Sequence, residues 1–146
     1  MAVLSFPFQE VRVARNRLYP NGTKLVPFIP VVLVRAAARI PLMLVADSGA
    51  DYTIVSSEIA PLLGLDLKAG EKTGFCGTTG QQQAAFIHRI DFVIEDAGGT
   101  VQYAADVAFA DLPRSVAGLL GRVGFFDRFV VTFNHPKNQI LLRSVG

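Results

Sequence analysis

The chain holds one cysteine, Cys76, and no tryptophan among its 146 residues. A single thiol cannot close a disulfide within the chain, and with only two histidines beside it a closed structural zinc site lacks ligands. Hydrophobic residues make up 51% of the sequence, yet no uninterrupted apolar run reaches the ~20 residues of a membrane-spanning helix. No membrane partner is expected. Charge of one sign is also missing. Fourteen Lys and Arg face twelve Asp and Glu, and the basic residues Arg12, Arg15, Arg17, Arg35 and Arg39 are scattered, which gives nucleic-acid binding little support. The opening Met-Ala-Val-Leu-Ser-Phe-Pro-Phe-Gln-Glu has no basic start, long apolar stretch or small-residue cleavage site. The chain therefore reads as intracellular and cytoplasmic. At this length and composition one globular domain over residues 1–146 is expected, and disorder is excluded.

What is present is mostly strand-like. Residues Ser5 to Leu18 partly alternate, Pro20-Asn21-Gly22 comes next, and a second apolar stretch runs from Leu25 to Val34. This predicts an N-terminal hairpin over about residues 1–30. Pro27 and Pro30 would remove ladder hydrogen bonds, which puts part of the second segment at an edge or bulge. Pro41-Leu42-Met43-Leu44-Val45-Ala46 is a short buried strand ended by Asp47-Ser48-Gly49. Ser56 or Ser57 can cap a short helix through Leu63, with Gly64 as its stop. From Leu67 to Ala85 glycine, threonine and glutamine dominate, which cannot fill a core and suggests a mobile hairpin. Strands over Phe86–Ile94 and Thr100–Phe109 flank Glu95-Asp96-Ala97-Gly98-Gly99. Gly118-Leu119-Leu120-Gly121 opens a short helix through Phe126, and Phe129–Phe133 with Gln139–Leu142 form a C-terminal hairpin.

Asp47 demands an explanation, because an apolar strand that delivers a carboxylate must hydrogen-bond it or expose it in a cleft. An Asx-turn ending a strand would satisfy it. The order of features points further: an apolar strand, Asp47-Ser48-Gly49-Ala50-Asp51, a Gly-rich hairpin, then Leu119-Leu120-Gly121-Arg122 near the C-terminus.

This order resembles the retropepsin family, the retroviral-type aspartic proteases, whose subunits carry Asp-Thr/Ser-Gly-Ala after an apolar strand and Ile/Leu-Ile/Leu-Gly-Arg late in the chain. Here the motifs read Asp47-Ser48-Gly49-Ala50 and Leu119-Leu120-Gly121-Arg122, within a match over roughly residues 31 to 134. The resemblance implies an all-β, closed acid-protease barrel with one or two short helices, a flap over a cleft, and hydrolysis of a peptide or protein substrate without metal or cofactor. That chemistry needs two carboxylates sharing a proton. The only other Asp-x-Gly, Asp96-Ala97-Gly98, lacks the hydroxyl and lies in a turn. A homodimer in which each chain supplies Asp47 solves the deficit.

By the same resemblance Ser48 would brace the two loops across the dimer axis, and Gly49 would let backbone approach the carboxylate. Ala50 removes one hydroxyl donor from the ionised form, which shifts the expected optimum to mildly acidic pH. Asp51 and Arg122 match an ion pair that holds the active-site loop against a late helix, and Asp51 would also face substrate backbone. Gly74, Phe75, Cys76 and Gly77 would belong to the flap, and Leu119-Leu120 would pack beneath the catalytic loop.

The residues also admit two rival readings. Cys76 could pair with His88 or His135 as a cysteine hydrolase, although no nucleophile signature surrounds it. A dimer of the same fold could instead bind extended peptides, or serve assembly, without cutting them.

Overall fold

A computed structural model describes residues 3–76 and 80–145, apart from the side chain of Phe75. The strands run β1 (Val3–Pro7), β2 (Gln9–Arg12), β3 (Thr23–Val26), β4 (Phe28–Arg35), β5 (Ala38–Ala46), β6 (Ile54–Ser56), β7 (Glu71–Cys76), β8 (Gln82–Asp96), β9 (Gly99–Ala110), β10 (Gly118–Leu120), β11 (Phe129–Asn134) and β12 (Gln139–Ser144).

Six strands close a ring in the order β4-β5-β10-β6-β9-β8, with β8 returning to β4 through Val32↔Val93, Leu33↔Phe92 and Val34↔Asp91. Closure removes the exposed sheet edges that would otherwise template aggregation. In β4 the alternation is strict: Ile29, Val31 and Leu33 are buried and their neighbours are not. The inward side chains meet Leu44, Phe92, Ile94, Val107, Phe109 and Leu120 in one core. Each fully buried Leu, Ile or Phe stabilises the fold by roughly 1.5–3 kcal/mol. A second sheet, β1-β12-β11, adds Leu4, Phe6, Ile140 and Leu142 to the same core.

The predicted N-terminal hairpin is corrected in its pairing. β1 does not face the second apolar stretch but pairs antiparallel with β12, Val3 opposite Arg143 and Pro7 opposite Gln139. Only β2 and β3 pair with each other, from Gln9↔Val26 to Arg12↔Thr23. The chain turns at Tyr19-Pro20-Asn21-Gly22, where the Gly22 amide donates to the Tyr19 carbonyl at 3.0 Å and Gly22 takes φ +71°. Pro30 lies in β4 opposite Met43, before the stretch that also pairs with β8, so its missing N–H interrupts no second ladder.

The short helix expected from the Ser56 cap to the Gly64 stop is present in 3-10 form, while the helix expected from Gly118 is corrected. Residues after the Ser56 cap form two successive 3-10 turns, Ser57–Ile59 and Pro61–Leu63. Pro61 has no N–H to give to the Ser57 carbonyl, so an α-turn cannot continue. Instead the Ala60 amide donates to Ser57 at 3.2 Å, and Gly64 stops the segment at φ +69°. Gly118–Leu120 is strand β10, not the start of a helix. Beyond β10 the chain runs through a series of turns in which the Phe126 amide reaches Gly121 and the Asp127 amide reaches Arg122, at 3.1 and 3.0 Å.

The remaining strand expectations agree with the structure. β8 and β9 pair from Ala85↔Ala110 to Asp96↔Gly99 around Ala97-Gly98, and β11 and β12 form the C-terminal hairpin. Among the described residues no helix is long and apolar enough to cross a membrane.

Candidate active site

β10 is the key to the site, although it is only three residues long. It pairs in parallel with β5, Leu119↔Val45 and Leu120↔Ala46, and antiparallel with β6, Gly118↔Val55 and Leu119↔Ile54. The chain leaving β5 is therefore held from beneath: the Asp47 amide donates to the Leu120 carbonyl at 2.9 Å. Just before it, the Ala46 amide donates to the Pro27 carbonyl at 3.0 Å.

Asp47 opens a tight turn. Its Oδ1 accepts the Gly49 amide at 2.9 Å, and its carbonyl accepts the Ala50 amide at 3.1 Å. One carboxylate oxygen is thus engaged by backbone, and the side chain is half-buried. Ser48 and Gly49 are exposed at the turn and Ala50 is half-buried.

The next residues interlock with the segment after β10. The Arg122 amide donates to Ala50 at 2.9 Å and the Val123 amide to Asp51 at 3.0 Å, while the Thr53 amide donates to Val123 at 2.9 Å. Thr53 is fully buried, and its hydroxyl donates to the Val123 carbonyl and accepts the Gly121 amide, both at 3.1 Å. The Arg122 guanidinium and Asp51 carboxylate form an ion pair on top of this lattice. Both side chains are well exposed, so the pair contributes at most about 1 kcal/mol and acts chiefly by orienting the two loops. The late segment it holds is the turn series after β10, not a helix.

Asp47, Gly49, Ala50, Asp51, Ile54 and Leu119 line a cleft of about 440 Å³ whose other wall is Gly74, Cys76 and Gln82 from the β7–β8 hairpin. Tyr52 bridges the two walls, its hydroxyl donating to the Gly74 carbonyl at 3.0 Å. Burial, then the Asp51 charge, pushes the Tyr52 phenol above its ordinary value. The hydroxyl therefore stays a proton donor through neutral pH.

Of the residues expected in a flap, Gly74 and Cys76 face the cleft. Gly77 and the side chain of Phe75 lie outside the described residues. Tyr52, Thr53, Ile54 and Gln82 were not singled out by sequence. A buried threonine in front of Ile54-Val55 was the one available signal, since a polar group in an apolar run needs internal partners.

The two histidines are elsewhere. His88 Nε2 lies 2.8 Å from the Leu67 carbonyl, and its ring meets Phe109 edge-on. It stands six residues along β8 from Gln82, the partner of Cys76, which is about 20 Å of strand and far beyond proton-transfer distance. His135 packs edge-on against Phe8 in the C-terminal hairpin. The cysteine-hydrolase pairing with His88 is overturned on this geometry.

No protein-family model matches the chain, and no curated protein matches it. Among solved structures it is similar to a retropepsin-like aspartic protease from Rickettsia conorii, at 21% identity and a TM-score of 0.58 over 97% of this chain and 92% of that one. The EIAV protease complexed with the inhibitor HBY-793 aligns with 66% of this chain and 82% of that chain, at 23% identity and a TM-score of 0.42. The first likeness, nearly end to end, establishes the class: this chain has the retropepsin-like aspartic protease fold.

Proposed function

We propose that two copies of this chain form an aspartic endopeptidase, each supplying Asp47 to one catalytic pair. The observation that carries this reading is the placement of Asp47, tied to the Gly49 amide and opening on a cleft roofed by a hairpin. A carboxylate that merely ended a strand would not need backing by a parallel strand beneath it and a hairpin above.

In such a pair like charges a few ångströms apart cannot both ionise cheaply, so one proton is shared. The ionised Asp47 takes a proton from a water as that water's oxygen attacks the peptide carbon. The protonated Asp47 of the other chain donates to the carbonyl oxygen, giving a neutral tetrahedral diol. Collapse returns a proton to the amide nitrogen, breaks the C–N bond and restores the pair. Ser48, exposed at the turn, is available to brace its counterpart, and Gly49 leaves room for substrate backbone. Arg122 and Asp51 fix the loop, and the β7–β8 hairpin acts as the flap that excludes water. No cofactor is needed for these steps.

The test compares wild type with Asp47→Asn on unfolded casein from about pH 4 to 7.5. Wild type should cut, with activity falling at the alkaline end as the shared proton is lost. Asp47→Asn should be slower by roughly a thousandfold or more. Sedimentation across concentration should place activity in the dimer. Equal cleavage by both proteins, or an active monomer, would sink the proposal.

A further inference from the structure

Where the β7–β8 hairpin leaves the barrel can be located to the residue. Glu71↔Ile87, Lys72↔Phe86 and Thr73↔Ala85 are backed by β9, whose last partner is Ala110 opposite Ala85. The next row, Gly74↔Ala84, lies beyond the end of the β8–β9 ladder. From there the two arms, Gly74–Cys76 and Gln82–Ala84, form ladder pairs with each other, past the end of β9's pairing. A two-stranded ribbon in water is marginal by itself.

The Tyr52 hydroxyl bonds to Gly74, the first residue past that boundary. Tyr52 is itself anchored: it bridges Val123 in parallel, and its backbone lies so close to Gly121 that a β-carbon there would collide with it. Tyr52 also lines two cavities. One is the cleft with Asp47, and the other a mostly apolar hollow of about 210 Å³ lined also by Thr73, Ile87, Asp106, Ala108 and Val123.

We infer that Tyr52 is a positioning residue that pins the overhanging hairpin to the catalytic loop and sets its height above Asp47. The side chain stands between a fixed lattice and the first residue of the hairpin past β9's pairing, so its hydrogen bond ties the base of the overhang to the loop that carries Asp47. In the peptidase reading, on which only the kinetic part of this inference rests, the pin holds the hairpin in place before substrate arrives and reduces the ordering that binding must impose.

Tyr52→Phe keeps the ring and removes the hydroxyl. Amide hydrogen exchange in the free protein should then accelerate about fivefold to tenfold in Gly74–Cys76 and Gln82–Ala84, the loss expected for one modest hydrogen bond. Exchange in β4 and β9 should be unchanged, which separates loss of the pin from loss of the fold. Tyr52→Leu, which removes the ring as well, should accelerate the same amides at least as much. On unfolded casein, Tyr52→Phe should raise KM several-fold with kcat nearly constant. Exchange in the two arms identical to wild type in Tyr52→Phe would overturn the inference, since ring packing alone would then hold the hairpin. Because exchange is read without substrate, a protein that cuts nothing would refute the peptidase reading and leave this test standing.

Discussion

Gly121 shows how little space the loop that carries Asp47 leaves. A β-carbon at this position would run into the Tyr52 carbonyl, which is backbone and cannot swing aside. Its amide meanwhile serves Thr53 Oγ1. The demand here is for closeness, because Gly121 has no positive φ. Gly121→Ala should therefore destabilise the fold by roughly 3 kcal/mol, the scale of overpacking a rigid site. A denaturant midpoint measured beside that of wild type checks this, and a loss under about 0.5 kcal/mol would mean that the lattice yields more than its geometry suggests. Thr53 makes the complementary point. It is buried completely, and its one hydroxyl accepts the Gly121 amide while adding a second bond to the Val123 carbonyl that already takes the Thr53 amide.

At the scale of elements, the β8–β9 turn does more than reverse the chain. Asp96 accepts the Gly98 and Gly99 amides on Oδ1 at 2.7 and 3.1 Å, and the Ser5 amide of β1 on Oδ2 at 2.8 Å. The Ser5 bond first, then the turn amides, hold its carboxyl below the ordinary 3.8. A depressed folded value means that the charged form stabilises the native state above the unfolded value, and that the stabilisation is lost as pH falls through and below 3.8. Asp96→Asn should thus melt below wild type near neutral pH, and the gap should narrow as pH falls below 3.8. A gap of constant size across that range would show that the charge is not what holds β1.

The turn at Asp96 and the strand ending at Ala46 were both legible because short-range chemistry sets them, the first through a Gly-Gly turn and the second through an apolar run cut off by Asp-Ser-Gly. The Asp47 and Leu119-Leu120-Gly121-Arg122 motifs were legible for the same reason. β10 was not. Three residues carry no periodicity, and Gly118–Leu120 is a strand only because β5 and β6 stand on either side of it. The short helix after Ser56 was legible because its cap is genuine, with the Glu58 amide on Ser56 Oγ at 3.3 Å, but its 3-10 form follows from the proline five residues on, which stops an α-helix from growing. β1 offered no local sign that its partner was β12, at the far end of the sequence.

For the whole molecule, the consequence lies in the order β1-β12-β11. β1 and β12 are antiparallel neighbours, and Val3 and Arg143 are the outermost pair of their ladder. A force drawing the two ends apart therefore loads that pair first, then Leu4↔Leu142, then each pair in turn down to Pro7↔Gln139. Bonds loaded one at a time give way by peeling, at much lower force than strands sheared along their length. The Asp96 clasp on Ser5 is an early checkpoint in that path. In an optical trap the protein should show a first, low-force step in which β1 strips away and bares Leu4 and Phe6, with a stiffer barrel opening later. A single high-force rupture would rule out this order of events. The barrel that houses Asp47 is mechanically insulated from its own ends by a zipper.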